Sequence, residues 1–119
     1  MSMREDLQRA VTVARALGDP TRLRLLREIA ARGEISCVAL VEAVGMAQAT
    51  VSHHLKVLVQ AGLASVRPEG PFHRYRPVPG ALEAHAALLA RSLSPPARRP
   101  ARRRPAAPAA SRTTKGATP

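Results

Sequence analysis

The chain has 119 residues, enough for one domain around one core and too few for two. It carries 19 Lys and Arg against 8 Asp and Glu, a net charge of +11 that points to nucleic acid or an anionic surface as partner. No run of about 18 apolar residues occurs, the opening MSMREDLQRA lacks a signal-type apolar stretch, and the single cysteine, Cys37, suits a reducing compartment. The expectation is therefore a cytoplasmic chain with no membrane partner.

In chain order, Leu7, Ala10, Val11, Ala14 and Leu17 recur at helical spacing and predict a first helix from about Met3 to Leu17, ended by Gly18. Asp19-Pro20 opens a second helix, with Asp19 as N-cap and Pro20 at the first helical position, where a missing N–H costs nothing. Leu23, Leu26, Ile29 and Ala30 are expected on its inner face, the arginines at 22, 24, 27 and 32 mostly outside, and Gly33 at its end. Ser36 caps a short third helix through about Val44, with Leu40, Val41 and Val44 inward and Gly45 closing it.

The stretch QATVSHHLKVLVQAGL, Gln48 to Leu63, separates core from surface most cleanly. Val51, Leu55 and Leu58 share one helical face, and Ala49, Ser52, His53 and Lys56 share the opposite one. The polar face offers short hydrogen-bonding groups, an imidazole and one cation. It holds no paired carboxylates, no nucleophile beside a base and no glycine-rich phosphate cradle, so it suits contact with a DNA groove and excludes an enzyme. His54 falls beside Leu55 on the inner side and reads as a packed or hydrogen-bonded residue. A helix, a tight glycine turn and a second helix with a polar outer face make a helix-turn-helix, whose second helix enters the major groove.

Gly62 ends that helix, and two extended runs follow, Leu63 to Arg67 and Phe72 to Val78, around Pro68-Glu69-Gly70-Pro71. They predict a β-hairpin wing. Leu82, His85, Leu88, Leu89 and Leu93 line a final helix opened near Pro79-Gly80. The fold class is thus mainly α with a small β-hairpin wing, in the order α/α/α/α/β/β/α: a winged helix-turn-helix, made dimeric by the apolar stripes of the two end helices. Residues 1–93 form the DNA-binding and dimerisation domain. Residues 94–119 (SPPARRPARRRPAAPAASRTTKGATP) contain no acid, 7 of the 19 basic residues and little that is apolar beyond alanine and proline, so they are expected to be a disordered basic tail.

The words ALGDPTRLRLL (Ala16 to Leu26), GEIS (Gly33 to Ser36), TVSHHLKVLVQAGL (Thr50 to Leu63) and a wing with Gly70 and Tyr75 resemble, in this order, the ArsR/SmtB family of winged helix-turn-helix repressors. The resemblance covers about Val11 to Leu93. It implies a homodimer that binds a palindromic operator in double-stranded DNA and represses transcription until an inducer of unknown identity releases it. On that reading Gln48, Ser52 and His53 face base edges, Thr50 and Lys56 meet phosphates, and Arg67, Arg74 and Arg76 of the wing reach an adjacent minor groove or backbone, unless they only solubilise the strands.

No cofactor and no metal site is expected. Where the family's thiolate sensors carry Cys-Val-Cys-Asp-Leu, this chain has Ser36-Cys37-Val38-Ala39-Leu40, and one thiolate does not close a soft-metal site. Cys37 then reads as a small helix residue, with a thiol sensor as the sharper alternative. Glu83-Ala84-His85 resembles half of a second family metal site, but Pro96 and Arg99 stand where the other half belongs, so His85 reads as an interface residue. Two rival functions remain from the residues themselves: a low-specificity nucleoid-type DNA binder driven by the basic tail, and a winged-helix protein-interaction module using the end helices.

Overall fold

The computed structural model describes residues 2–95, and the expected tail from residue 96 lies outside the described residues. The elements run α1 (Met3–Leu17), α2 (Pro20–Arg32), β1 (Ile35–Ser36), α3 (Cys37–Val44), α4 (Gln48–Gln60), β2 (Ala64–Glu69), β3 (Phe72–Pro77) and α5 (Ala81–Leu93).

Local chemistry sets these boundaries. Ser2 and Glu5 form a reciprocal capping box at the start of α1. Asp19 accepts from the Arg22 N–H at 3.0 Å with Pro20 in the first turn of α2, and Ser36 accepts from the Ala39 N–H at 3.1 Å to start α3. The end of α4 is a Schellman motif: the Leu63 N–H donates to Leu58 O and the Gly62 N–H to Val59 O, which places Gly62 at φ 78, a conformation that glycine alone adopts without strain.

Leu25, Ile29, Leu40, Val51, Leu55 and Leu58 are fully buried and form the centre, with Val13, Ala16, Ile35, Val44, Leu63 and Ala64 around them. Two expected faces turn out differently. In α2 the core residue is Leu25, while Leu23 is 50% exposed and Ala30 is exposed, because α2 packs against α3, α4 and β3 together and the buried stripe follows Leu25 and Ile29. In α1 the buried face is Ala10, Val13 and Ala16; α5 packs there through Leu88, and Leu7 and Val11 remain exposed on the other side.

The sheet has three strands, not two, in the order β1-β3-β2, all antiparallel. The unexpected β1 is the Ile35-Ser36 pair opposite Tyr75 and Arg74, too short to leave an alternating pattern in sequence. Pro68 and Glu69, expected in the hairpin tip, are paired strand residues opposite His73 and Phe72, so the turn is the two residues Gly70-Pro71. Gly70 has φ 58, and a proline in the second turn position, with φ held negative, selects a type II′ turn over type I′. The wing emerges beside α4 with its inner face (Ala64, Val66, Tyr75) toward the core. Its outer face carries Ser65, Arg67, Glu69, Arg74 and Arg76.

Candidate nucleic-acid interface

The polar face of α4 follows from how completely its other face is buried. Val51, Leu55 and Leu58 have no solvent exposure, which fixes the depth of the helix and turns Gln48, Thr50, Ser52, His53 and Lys56 outward, all exposed. Gln48 opens the helix. Ala47 sits at the N-cap without a side-chain bond, so the first N–H groups of α4 are open to a ligand. No hydrogen bond or ion pair engages the Gln48, Thr50 or Lys56 side chains among the described residues. His53 and His54 are adjacent tilted rings with centroids 5.7 Å apart, and His54 turns inward, where Nδ1 meets Arg22 Nη1 at 3.1 Å.

That bond exposes a residue which sequence reasoning had placed outside. Arg22 is half-buried: its Nε donates to Ala16 O at 2.7 Å and its Nη2 to Arg15 O at 2.9 Å, so its guanidinium closes the C-terminus of α1 and touches α4. The signal available in sequence was its place in the first turn after Asp19-Pro20. The neighbouring Asp19 carboxyl is held below its ordinary value, chiefly by the backbone N–H of Arg22.

The three wing arginines are not equivalent. Arg67 and Arg74 stand directly opposite each other on β2 and β3, an arrangement of like charges that costs stability unless carboxylates intervene. In this wing they do: Arg67 pairs with Glu34 at 2.7 Å and with Glu69 at 3.0 Å, and Arg74 pairs with Glu69. The hydrogen bonds from Arg74 and then Arg67 hold the Glu69 carboxyl below its ordinary value, and the bonds that Arg67 donates to Glu34 and then Glu69 raise its own already high value. Arg76, opposite Ser65, is exposed with no such carboxylate among the described residues.

Between α3, α4 and the wing lies an open cleft of about 380 Å³, bordered by Cys37, Gln48, Ser52, His73 and Tyr75. Cys37 Sγ is 3.9 Å from Ser52 Oγ, so the thiol lies beside the exposed polar face of α4, a proximity invisible at a separation of 15 residues. The Tyr75 hydroxyl is pushed above its ordinary value by burial and then by Cys37. Among the described residues no three His, Cys, Asp or Glu side chains gather as a metal site, and His85 leaves Nδ1 buried without a partner. No helix among them is long and apolar enough to cross a membrane.

A helix-turn-helix domain model matches residues 17–67, the segment from the end of α1 to the first half of the wing. An HTH-type transcriptional regulator of Methanocaldococcus jannaschii is 35% identical over 71 residues, covering 60% of this chain and 80% of that one. The ArsR-like transcriptional regulator from Rhodococcus sp. RHA1 superposes with a TM-score of 0.65 at 28% identity, over 71% of this chain and 79% of that one. The chain belongs to the ArsR/SmtB family.

Membership makes it a winged helix-turn-helix transcriptional regulator and sets enzymatic readings aside. The arsenical resistance operon repressor of Staphylococcus xylosus is 37% identical over 65 residues, and this chain spans 62% of that protein's length and the match 55% of its own. A homodimeric winged helix-turn-helix DNA-binding domain from Mycobacterium bovis matches with a TM-score of 0.63 at 29% identity, over 77% of this chain and 87% of that one.

Proposed function

We propose that the chain represses transcription as a homodimer bound to a palindromic operator in double-stranded DNA, in the cytoplasm, and is released by an inducer. The observation that carries this is α4: a helix locked into the core by three fully buried residues, presenting Gln48, Ser52, His53 and Lys56 on an exposed face with an open N-terminus. Gln48 pairs with an adenine edge, Ser52 and His53 follow it along the groove, and Thr50 and Lys56 hold phosphates. In the wing, Arg76 is the readiest cation, and Arg67 and Arg74 reach DNA by exchanging half-exposed carboxylate partners for phosphates. Dimerisation uses the exposed side of α1, where Met3, Leu7 and Val11 form an apolar face. Residues 1–93 are the working domain, and the basic tail adds affinity without sequence preference.

Selection from a random-sequence duplex library tests the reading. Enrichment of an inverted repeat, with protection of both half-sites, supports it; enrichment of nothing, with equal affinity for all duplexes, supports the nucleoid-type rival instead. Sedimentation of residues 1–93 at micromolar concentration should give a dimer mass, and a monomer mass removes the palindromic operator from the proposal.

A further inference from the structure

Resting on the assignment of α4 as the DNA-reading helix, we propose that Arg22 and His54 are a positioning pair that sets the rotation of α4 about its axis and thereby the aim of its base-contacting side chains. Apolar packing of Val51, Leu55 and Leu58 fixes how deeply α4 sits, but such contacts are non-directional and tolerate a small roll. The N-cap does not prevent one, because Ala47 makes no side-chain bond. The strong directional side-chain contact on α4 is the one from Arg22 Nη1 to His54 Nδ1 at 3.1 Å, on the flank between the buried and exposed faces. The other, between Cys37 Sγ and Ser52 Oγ at 3.9 Å, is a weak sulfur contact.

Arg22 is itself held at both ends. Its backbone N–H caps onto Asp19, and its Nε and Nη2 donate to Ala16 O and Arg15 O, carbonyls of the last turn of α1, the second of which also accepts from the Gly18 N–H. The planar fork therefore has a fixed origin, and a flexible ammonium does not reproduce three bonds in one plane. A guanidinium only donates, so His54 Nδ1 is the acceptor and any single ring proton sits on Nε2. His54 directly follows Ser52-His53, so a roll of α4 that breaks this bond swings those side chains off the base edges, where hydrogen bonds weaken steeply with angle.

The experiment uses the full chain, a duplex enriched by the wild-type protein from a random library and a scrambled duplex, with thermal unfolding recorded for every variant. His54→Asn keeps an acceptor near the Nδ1 position, and His54→Leu fills space without one. The loss of a hydrogen bond to a charged group should weaken binding of the enriched duplex about tenfold in Arg22→Met and His54→Leu, with scrambled binding unchanged. His54→Asn should bind as wild type, Arg22→Lys should not recover, and the double variant Arg22→Met/His54→Leu should be no weaker than either single one. Equal losses on both duplexes, failure of His54→Asn to rescue, or additive losses in the double variant overturn the proposal. The two His54 variants leave the Arg22 bonds to the C-terminus of α1 intact and decide the matter if Arg22→Met melts below the binding temperature. A wild-type chain that enriches no duplex overturns the assignment of α4 and this inference together, an outcome distinct from any loss confined to the variants.

Discussion

Helix α4 and the wing both face outward with polar side chains, yet they do so in opposite ways. On α4 the exposed Gln48, Thr50 and Lys56 side chains make no intramolecular hydrogen bond or ion pair among the described residues, and the helix is anchored from behind by side chains with no exposure at all. On the wing, Arg67 and Arg74 both pair with Glu69, Glu34 ties Arg67 to the start of β1, and only part of the inner face is buried. The difference separates an unpaired surface from a matched one. Groups left unpaired on a rigid support are available to a partner without first breaking a bond, whereas charges already matched with carboxylates must exchange one partner for another.

The comparison is broken most severely through the core. Leu58→Ala beneath α4 should lose ~2 to 5 kcal/mol, a large part of the ~5 to 15 typical of a domain. Val66→Ala on the half-covered wing, 39% exposed in place, should lose far less. Denaturant midpoints of the two variants check this, and equal losses would show that the wing carries as much of the fold as α4. Next in size is Gln48→Ala, which should weaken the enriched duplex by ~1 to 3 kcal/mol and relax preference at one base position per half-site. An unchanged preference profile moves base reading to another residue.

Smaller effects sharpen the contrast within the wing. Arg76→Ala should reduce the slope of log affinity against log salt by about 0.9, the contribution of one phosphate contact, and Arg67→Ala by less, because Arg67 is already paired with two carboxylates. Salt titrations of both variants on one duplex measure the difference, and a larger change for Arg67 would make the paired arginine the stronger phosphate contact. The smallest effect is acid sensitivity. The Glu69 carboxyl is held below its ordinary value of 4.5, so its stabilisation is present above that pH and disappears as pH falls through the depressed value. An NMR titration of the Glu69 carboxyl carbon should show the midpoint rising toward 4.5 in Arg74→Gln, whose hydrogen bond is the principal cause. No movement would assign the depression to Arg67 instead.

The sequence by itself determined the punctuation and the two faces of α4. Asp19-Pro20, Ser36, Gly33, Gly45 and Gly62 stop and start helices through bonds made within a few residues, so their effect is local and visible in order along the chain. The face of α4 was equally legible, because Val51, Leu55 and Leu58 all point one way and nothing polar interrupts them. What only the tertiary structure decided depends on separations the chain order does not encode. Leu25 displaces Leu23 from the core because three elements converge on α2, and Ile35-Ser36 becomes a strand only because β3 passes alongside. Arg22 becomes a staple because the last carbonyls of α1 and the ring of His54, 32 residues away, meet at its guanidinium. Arg67 and Arg74 are neutralised because antiparallel register sets them opposite each other with Glu69 on the same face. Composition shows a surplus of cations; which of them are unpaired follows from where the folded backbone places the few acids.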